Sequence, residues 1–217
     1  MRFLLAFFVA IGTLLPAPAA AQDFWLSKPA SEWTEDEAEK LISESPWARR
    51  IRVEAIWAGG QVIAGTWATD VKRRFAYFTV RWYSAGTLQQ GLAREAALAG
   101  RPAPAPSASG DWYEVHISGV DMEPFVKETE ESLKKKAKLR IRGLGRDLAP
   151  DSVILQRDLT GVTVSWVLYR FARRNEQGEE LIGAAETRVD FQCKAGPLDL
   201  TARFDPRKMQ GANGRDL

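Results

Sequence analysis

The stretch that most constrains the fold is Gly161 to Phe171, Gly-Val-Thr-Val-Ser-Trp-Val-Leu-Tyr-Arg-Phe. Written as an extended strand, it places Val162, Val164, Trp166 and Leu168 on one side and Val167, Tyr169 and Phe171 on the other. Apolar side chains on both faces suit a strand that is covered above and below. Such a strand needs flanking strands with one wet face, and the rest of the chain supplies them. The reading is an α+β fold, a mostly antiparallel sheet with two to three packed helices.

The chain opens on Met1 and Arg2, followed by an apolar run from Phe3 to Leu15 and an Ala19-Ala20-Ala21 site. This is the pattern of a secretory signal peptide over residues 1–21, with cleavage before Gln22. The apolar run falls short of the ~20 residues of a membrane-spanning helix, and no second long apolar stretch follows. The protein is therefore expected to be exported, periplasmic or secreted, with no transmembrane segment in the mature chain. Residues 22–209 read as one α+β domain, with 210–217 a disordered tail.

Cys193 is the single cysteine, so no intramolecular disulfide can form. Its phase with Val189 and Phe191 marks it as a small buried hydrophobe. The net charge of +2 is close to neutral and mixed in sign, which gives no nucleic-acid footprint.

Along the mature chain, Thr34 and Glu37 form a capping box that starts a helix, and Pro46 follows its end. Ile51 to Trp57 and Phe75 to Ser84 alternate as strands. A helix runs from about Thr87 to Gly100. Arg101 to Gly110 is a Pro/Ala/Ser tract, read as a linker between domains or a long surface loop. Trp112 to Gly119 is a strand, and Asp121 caps one helix whose inner face is Phe125, Val126, Thr129, Leu133 and Ala137. Lys138 to Arg142 is extended. Val153 to Asp158 pairs with the doubly apolar strand through a turn near Thr160 and Gly161. Two period-two strands close the domain, through Val189, Phe191 and Cys193 and through Leu198 to Phe204, joined at Ala195-Gly196-Pro197.

Reactive groups are sparse. His116 is the only histidine, and its phase with Glu114 and Ser118 puts it on a polar strand face. One His and one Cys cannot assemble an ordinary zinc or copper site, and no cofactor motif is present. Ser132-Leu133-Lys134-Lys135 matches S-x-x-K without K-T-G or S-D-N, and reads as exposed helix surface. A carboxylate pair can be drawn with Glu54 as acid and Asp190 or Asp121 as partner, but nothing in the spacing fixes their separation.

Two features remain. Lys134 to Arg146 contains seven basic residues and no acidic one, and an extended segment would present Lys138, Arg140 and Arg142 on one face with Arg146 beyond. Such a stripe fits an anionic envelope component; its other reading is a solvated strand face beside a helix end that obeys its dipole. The eight tryptophans divide by phase: Trp57, Trp82 and Trp166 look buried, whereas Trp25, Trp33 and Trp67 are candidates for exposed, sugar-binding planes.

The acidic helix after Glu32-Trp33-Thr34, then Ser45-Pro46-Trp47, the Val80 to Ser84 strand and the late strand ending at Phe204 resemble a group of uncharacterised exported bacterial proteins. Gly65-Thr66-Trp67-Ala68-Thr69-Asp70 is similar to the GWxTD signature of another bacterial set, interrupted by Thr66. Neither resemblance implies catalytic residues. The expectation is a non-catalytic binding or scaffold protein of the bacterial envelope, its partner an anionic envelope component or another exported protein. The rival is a small hydrolase built on His116 or a carboxylate pair.

Overall fold

The computed structural model describes residues 23–55, 75–107 and 110–217. The signal-peptide expectation, Trp57, Trp67 and the GWxTD-like segment lie outside the described residues. In chain order the elements are α1 (Phe24–Ser27), α2 (Glu35–Ser43), β1 (Ala48–Glu54), β2 (Phe75–Trp82), α3 (Gly86–Leu98), β3 (Trp112–Gly119), α4 (Glu123–Val126), α5 (Glu130–Lys136), β4 (Ala137–Ile141), β5 (Asp147–Leu148), β6 (Ser152–Arg157), β7 (Val164–Ala172), β8 (Val189–Ala195), β9 (Leu198–Phe204), β10 (Gln210–Gly211) and β11 (Gly214–Arg215).

Among the described residues every strand pairing is antiparallel. One sheet has the order β1-β2-β3-β7-β6, a second β5-β4-β8-β9, and β10 and β11 form a small hairpin. The fold is α+β.

Alternation decides which side chains meet between the two larger sheets. The inward row of the first sheet includes Phe78, Val80, Trp82, Tyr113, Val115, Val167, Tyr169 and Phe171, all fully buried. It meets Phe191 and Phe204 of the second sheet: Tyr169 and Phe171 lie 5.1 and 6.2 Å from the Phe191 ring, and Trp82 lies 5.4 Å from Phe204. The doubly apolar stretch is β7, paired on both sides by β3 and β6. Leu168 on its outer face is also buried, but Val162 falls before the strand and is 64% exposed.

The capping box forms as expected. The Glu37 amide donates to Thr34 Oγ1 at 3.2 Å, and the Thr34 amide donates to Glu37 Oε2 at 2.9 Å. Gly91 of α3 then lets α2 come close: a Cβ there would stand 2.7 Å from Leu41 Cδ2, which accounts for a glycine inside a helix despite its weak propensity.

Two expectations change, and one that was open is narrowed. The helix after Asp121 is two helices, because the Thr129 hydroxyl accepts the Ser132 amide at 3.1 Å and starts a new helix at Glu130, while Ala137 already belongs to β4. The Pro/Ala/Ser tract joins α3 to β3 inside one sheet, for β2 and β3 on either side of it are hydrogen-bonded neighbours. Tyr83 donates its hydroxyl to the Ala105 carbonyl at 2.9 Å and fastens the tract to the sheet. Residues 210–217 are folded rather than frayed: they form the β10–β11 hairpin, and Leu217 is buried. What ties the segment down is mostly polar: its Gln210 and Asp216 carbonyls accept the indole N–H groups of Trp25 and Trp47.

Candidate functional site, a basic cleft on the second sheet

Alternation in β4 sends Ala137, Leu139 and Ile141 into the core and turns Lys138 and Arg140 outward. Arg142 then opens a 3-10 turn that Gly145 closes with φ +70°, in the left-handed region that glycine enters without strain. The turn delivers Arg146 and Asp147 back beside β4. Asp147 accepts from Arg140 Nε at 3.0 Å and from Lys138 Nζ at 2.7 Å. These bonds, Arg140's foremost, pull its carboxyl down to about 2.

The register Arg140↔Asp190↔Arg203 across β4, β8 and β9 sets up the same arrangement again. Asp190 is buried and accepts from Arg188 at 2.7 Å and Arg203 at 3.0 Å. Burial raises its pKa, but the bonds from Arg188 and Arg203 outweigh that and hold it below the ordinary value. Each acid is thus shared between two cations. Arg142 and Arg146 are exposed and have no ion-pair partner among the described residues.

A cleft of about 720 Å³ opens here, lined by Arg140, Arg142, Arg146, Arg188, Asp147 and Asp190, with Ile141 and Gly145. Its cations exceed its acids, and both acids are already occupied. Guanidinium forks suit bidentate contact with phosphate, sulfate or carboxylate oxygens. The lining holds no hydroxyl, thiol or imidazole. The arrangement can hold an anion, and its two carboxylates are tied up in ion pairs.

All four residues singled out in the basic run, Lys138, Arg140, Arg142 and Arg146, lie on this face, although Lys138 and Arg140 are tied to Asp147 and only Arg142 and Arg146 are unpaired. Arg188, Asp190 and Arg203 lie forty residues or more further along, just before β8, on β8 and on β9. Their alternation was legible, but their pairing with β4 was not.

The hydrolytic candidates do not converge on that cleft. His116 is not on a solvated face: its ring stacks 5.2 Å from Tyr83 and 5.5 Å from Trp166, and its Nδ1 is buried without a partner among the described residues. Burial, with Arg81 nearby, lowers its pKa to about 3, so the imidazole is neutral at physiological pH. Glu114 next to it is fully buried and bonded through Oε1 to Arg170 Nε at 2.8 Å. Ser132 donates to Glu128 at 2.5 Å, and Lys136 pairs with the same carboxylate. Burial pushes the Cys193 thiol up to about 12, far from a reactive thiolate. Glu54 and Asp190 lie on different sheets.

The tryptophan assignment is revised as well. Trp25 and Trp33 are buried, not exposed. Phe24 meets both edge-on, and Trp25 packs 5.5 Å from Trp47. Irregular segments carry no periodicity from which such burial could be read. Trp166 is half-buried and Trp82 fully buried.

Comparison with protein-family profiles, curated proteins and solved structures finds no match to this chain. Among the described residues no helix is long and apolar enough to cross a membrane, and no cluster of three or more His, Cys, Asp or Glu side chains could hold a metal ion.

Proposed function

We propose that this is an exported binding or scaffold protein of the bacterial envelope, which holds an anionic component in the cleft between β4, β5 and β8. The observation that carries the reading is the pair Arg142 and Arg146, left without acids in a cleft whose two carboxylates are each saturated by two cations. Folding makes no evident use of these two side chains. Export rests on the leader pattern at residues 1–21, and cell fractionation of the full chain checks it.

The test uses the exported protein and the double variant Arg142→Ala, Arg146→Ala. Neither side chain is buried or ion-paired, so the melting temperature should stay unchanged. Affinity for tripolyphosphate and for the envelope fraction should fall by about tenfold or more, equivalent to about 1.4 kcal/mol. Wild-type binding should weaken as salt screens the exposed charges. Binding that ignores both the substitutions and the salt would contradict the proposal.

A further inference from the structure

A second cleft opens beside the turn that carries Arg142. It measures about 670 Å³ and has Ile141, Leu144 and Leu181 in its lining, three apolar side chains packed into or against the core. Ile141 and Arg142 line both clefts, so the two adjoin at this point. Arg142 begins the 3-10 turn Arg142–Leu144, and Glu186 holds the turn in place. The Gly143 amide donates to Glu186 Oε2 at 2.6 Å, and a Cβ on Gly143 would stand 2.9 Å from that same oxygen. Glycine at 143 is what lets the buried carboxylate come this close.

The polar groups of this second lining are mostly engaged. Glu186 also accepts the amides of Thr187 at 2.8 Å and Arg188 at 3.0 Å. Glu180 is shared between Arg173 at 3.2 Å and Arg215 at 2.5 Å. The Gly183 carbonyl accepts from Arg215 Nη1 at 2.8 Å and from the Glu186 amide at 3.1 Å. Thr187 carries the one hydroxyl of the lining. A ligand rich in hydrogen-bonding groups, such as a sugar or a peptide, would find few open partners here. Hydrocarbon needs none, and it gains by leaving water. The open charge is that of Arg142, which is exposed and stands where the apolar lining meets the cationic one.

We propose that the ligand is an amphiphilic anion, a phosphate, sulfate or carboxylate head on an alkyl tail, whose head lies at Arg142 and Arg146 and whose tail runs into the second cleft over Leu144 and Leu181. The inference rests on the anion-binding reading of the first cleft and adds what the anion is attached to. A bare inorganic anion would leave the apolar lining wet. A lipid that stays in its bilayer presents only its head, so the occupant is a free molecule taken up one at a time.

The experiment measures the affinity of the full exported chain for tripolyphosphate, methyl phosphate, decyl phosphate below its micelle concentration and phosphatidylglycerol vesicles, using wild type, Arg142→Ala/Arg146→Ala, Leu181→Gln and Ala185→Trp. Ala185 is an exposed residue of the second lining, so Ala185→Trp fills the cleft without entering the core should Leu181→Gln fail to fold. Thermal melts verify both. Decyl phosphate should bind wild type about a hundredfold more tightly than methyl phosphate, since each methylene taken from water is worth up to about fourfold, or about 0.8 kcal/mol. Leu181→Gln and Ala185→Trp should lower decyl phosphate affinity about tenfold and leave tripolyphosphate unchanged, whereas Arg142→Ala/Arg146→Ala should weaken both. Equal affinity for the two alkyl phosphates, or decyl phosphate binding that every folded cleft variant retains, overturns the amphiphile; the first cleft then stands alone if tripolyphosphate still responds to Arg142→Ala/Arg146→Ala. Binding to vesicles in preference to decyl phosphate makes the source a membrane surface and also overturns it. No binding in any arm overturns both readings.

Discussion

Deletion of residues 210–217 is expected to destabilise the protein by an amount on the order of 5 kcal/mol, comparable with the whole net stability of a small domain. The segment is short and mostly polar, yet four separate parts of the chain bond to it. The Asp216 carboxylate accepts the amides of Gly86 and Thr87 at 2.8 and 2.6 Å, capping the start of α3. Its carbonyl accepts the Trp47 indole at 2.7 Å, and the Gln210 carbonyl accepts that of Trp25 at 3.2 Å. Arg173 donates to the Leu217 carbonyl at 3.0 Å. A lost cap costs about 1 kcal/mol, and each buried donor left unsatisfied about 1–3 kcal/mol. Urea unfolding of the truncated chain measures the sum. A midpoint within error of wild type would show that the hairpin is an appendage, whereas Asp216→Ala alone should reproduce the capping share.

The second large effect is expected at the Glu114–Arg170 pair. Glu114 is fully buried on β3, and the β3–β7 register places it directly opposite Arg170. One carboxylate oxygen takes the Arg170 Nε at 2.8 Å, and the other has no partner among the described residues. Arg170→Ala therefore leaves a charge in the interior and should cost about 3–5 kcal/mol. Replacing both residues with leucine should recover most of that loss, since two apolar groups of suitable volume need no partner. Should the double variant be as unstable as Arg170→Ala, the pair would be a net stabiliser and not a mutual neutralisation. Chemical denaturation of the three proteins decides.

These two sites also show what the sequence could and could not reveal. Period-two alternation located β2, β3, β7, β8 and β9, and the capping box located α2, because each signal is local and the backbone answers to it directly. Alternation alone puts the buried Glu114 on a polar face with His116. Alternation does say that both point away from the main core. It does not say that the rings of Tyr83, itself bonded to the Ala105 carbonyl, and of Trp166 flank His116 there. The order of the tail is hidden for a related reason: its work is done by backbone carbonyls and one carboxylate, which leave no mark in hydropathy. Half of the candidate cleft was visible in the run from Lys134 to Arg146. The rest depends on strand register, for the pairing of Arg140 with Asp147 and of Asp190 with Arg203 brings each acid beside a cation.

The central claim is that the outward face of β4, β8 and the turn at Arg142 is where the protein meets an anion. Arginine side-chain NMR tests it most directly, by following the Nε–H signals during titration with tripolyphosphate. The account predicts that Arg142 and Arg146 shift first and furthest, Arg140 and Arg188 after them, and Arg81 and Arg170 on the other sheet not at all. Shifts centred on Arg81, Arg170 and the His116 ring would place the site on the opposite face and contradict it.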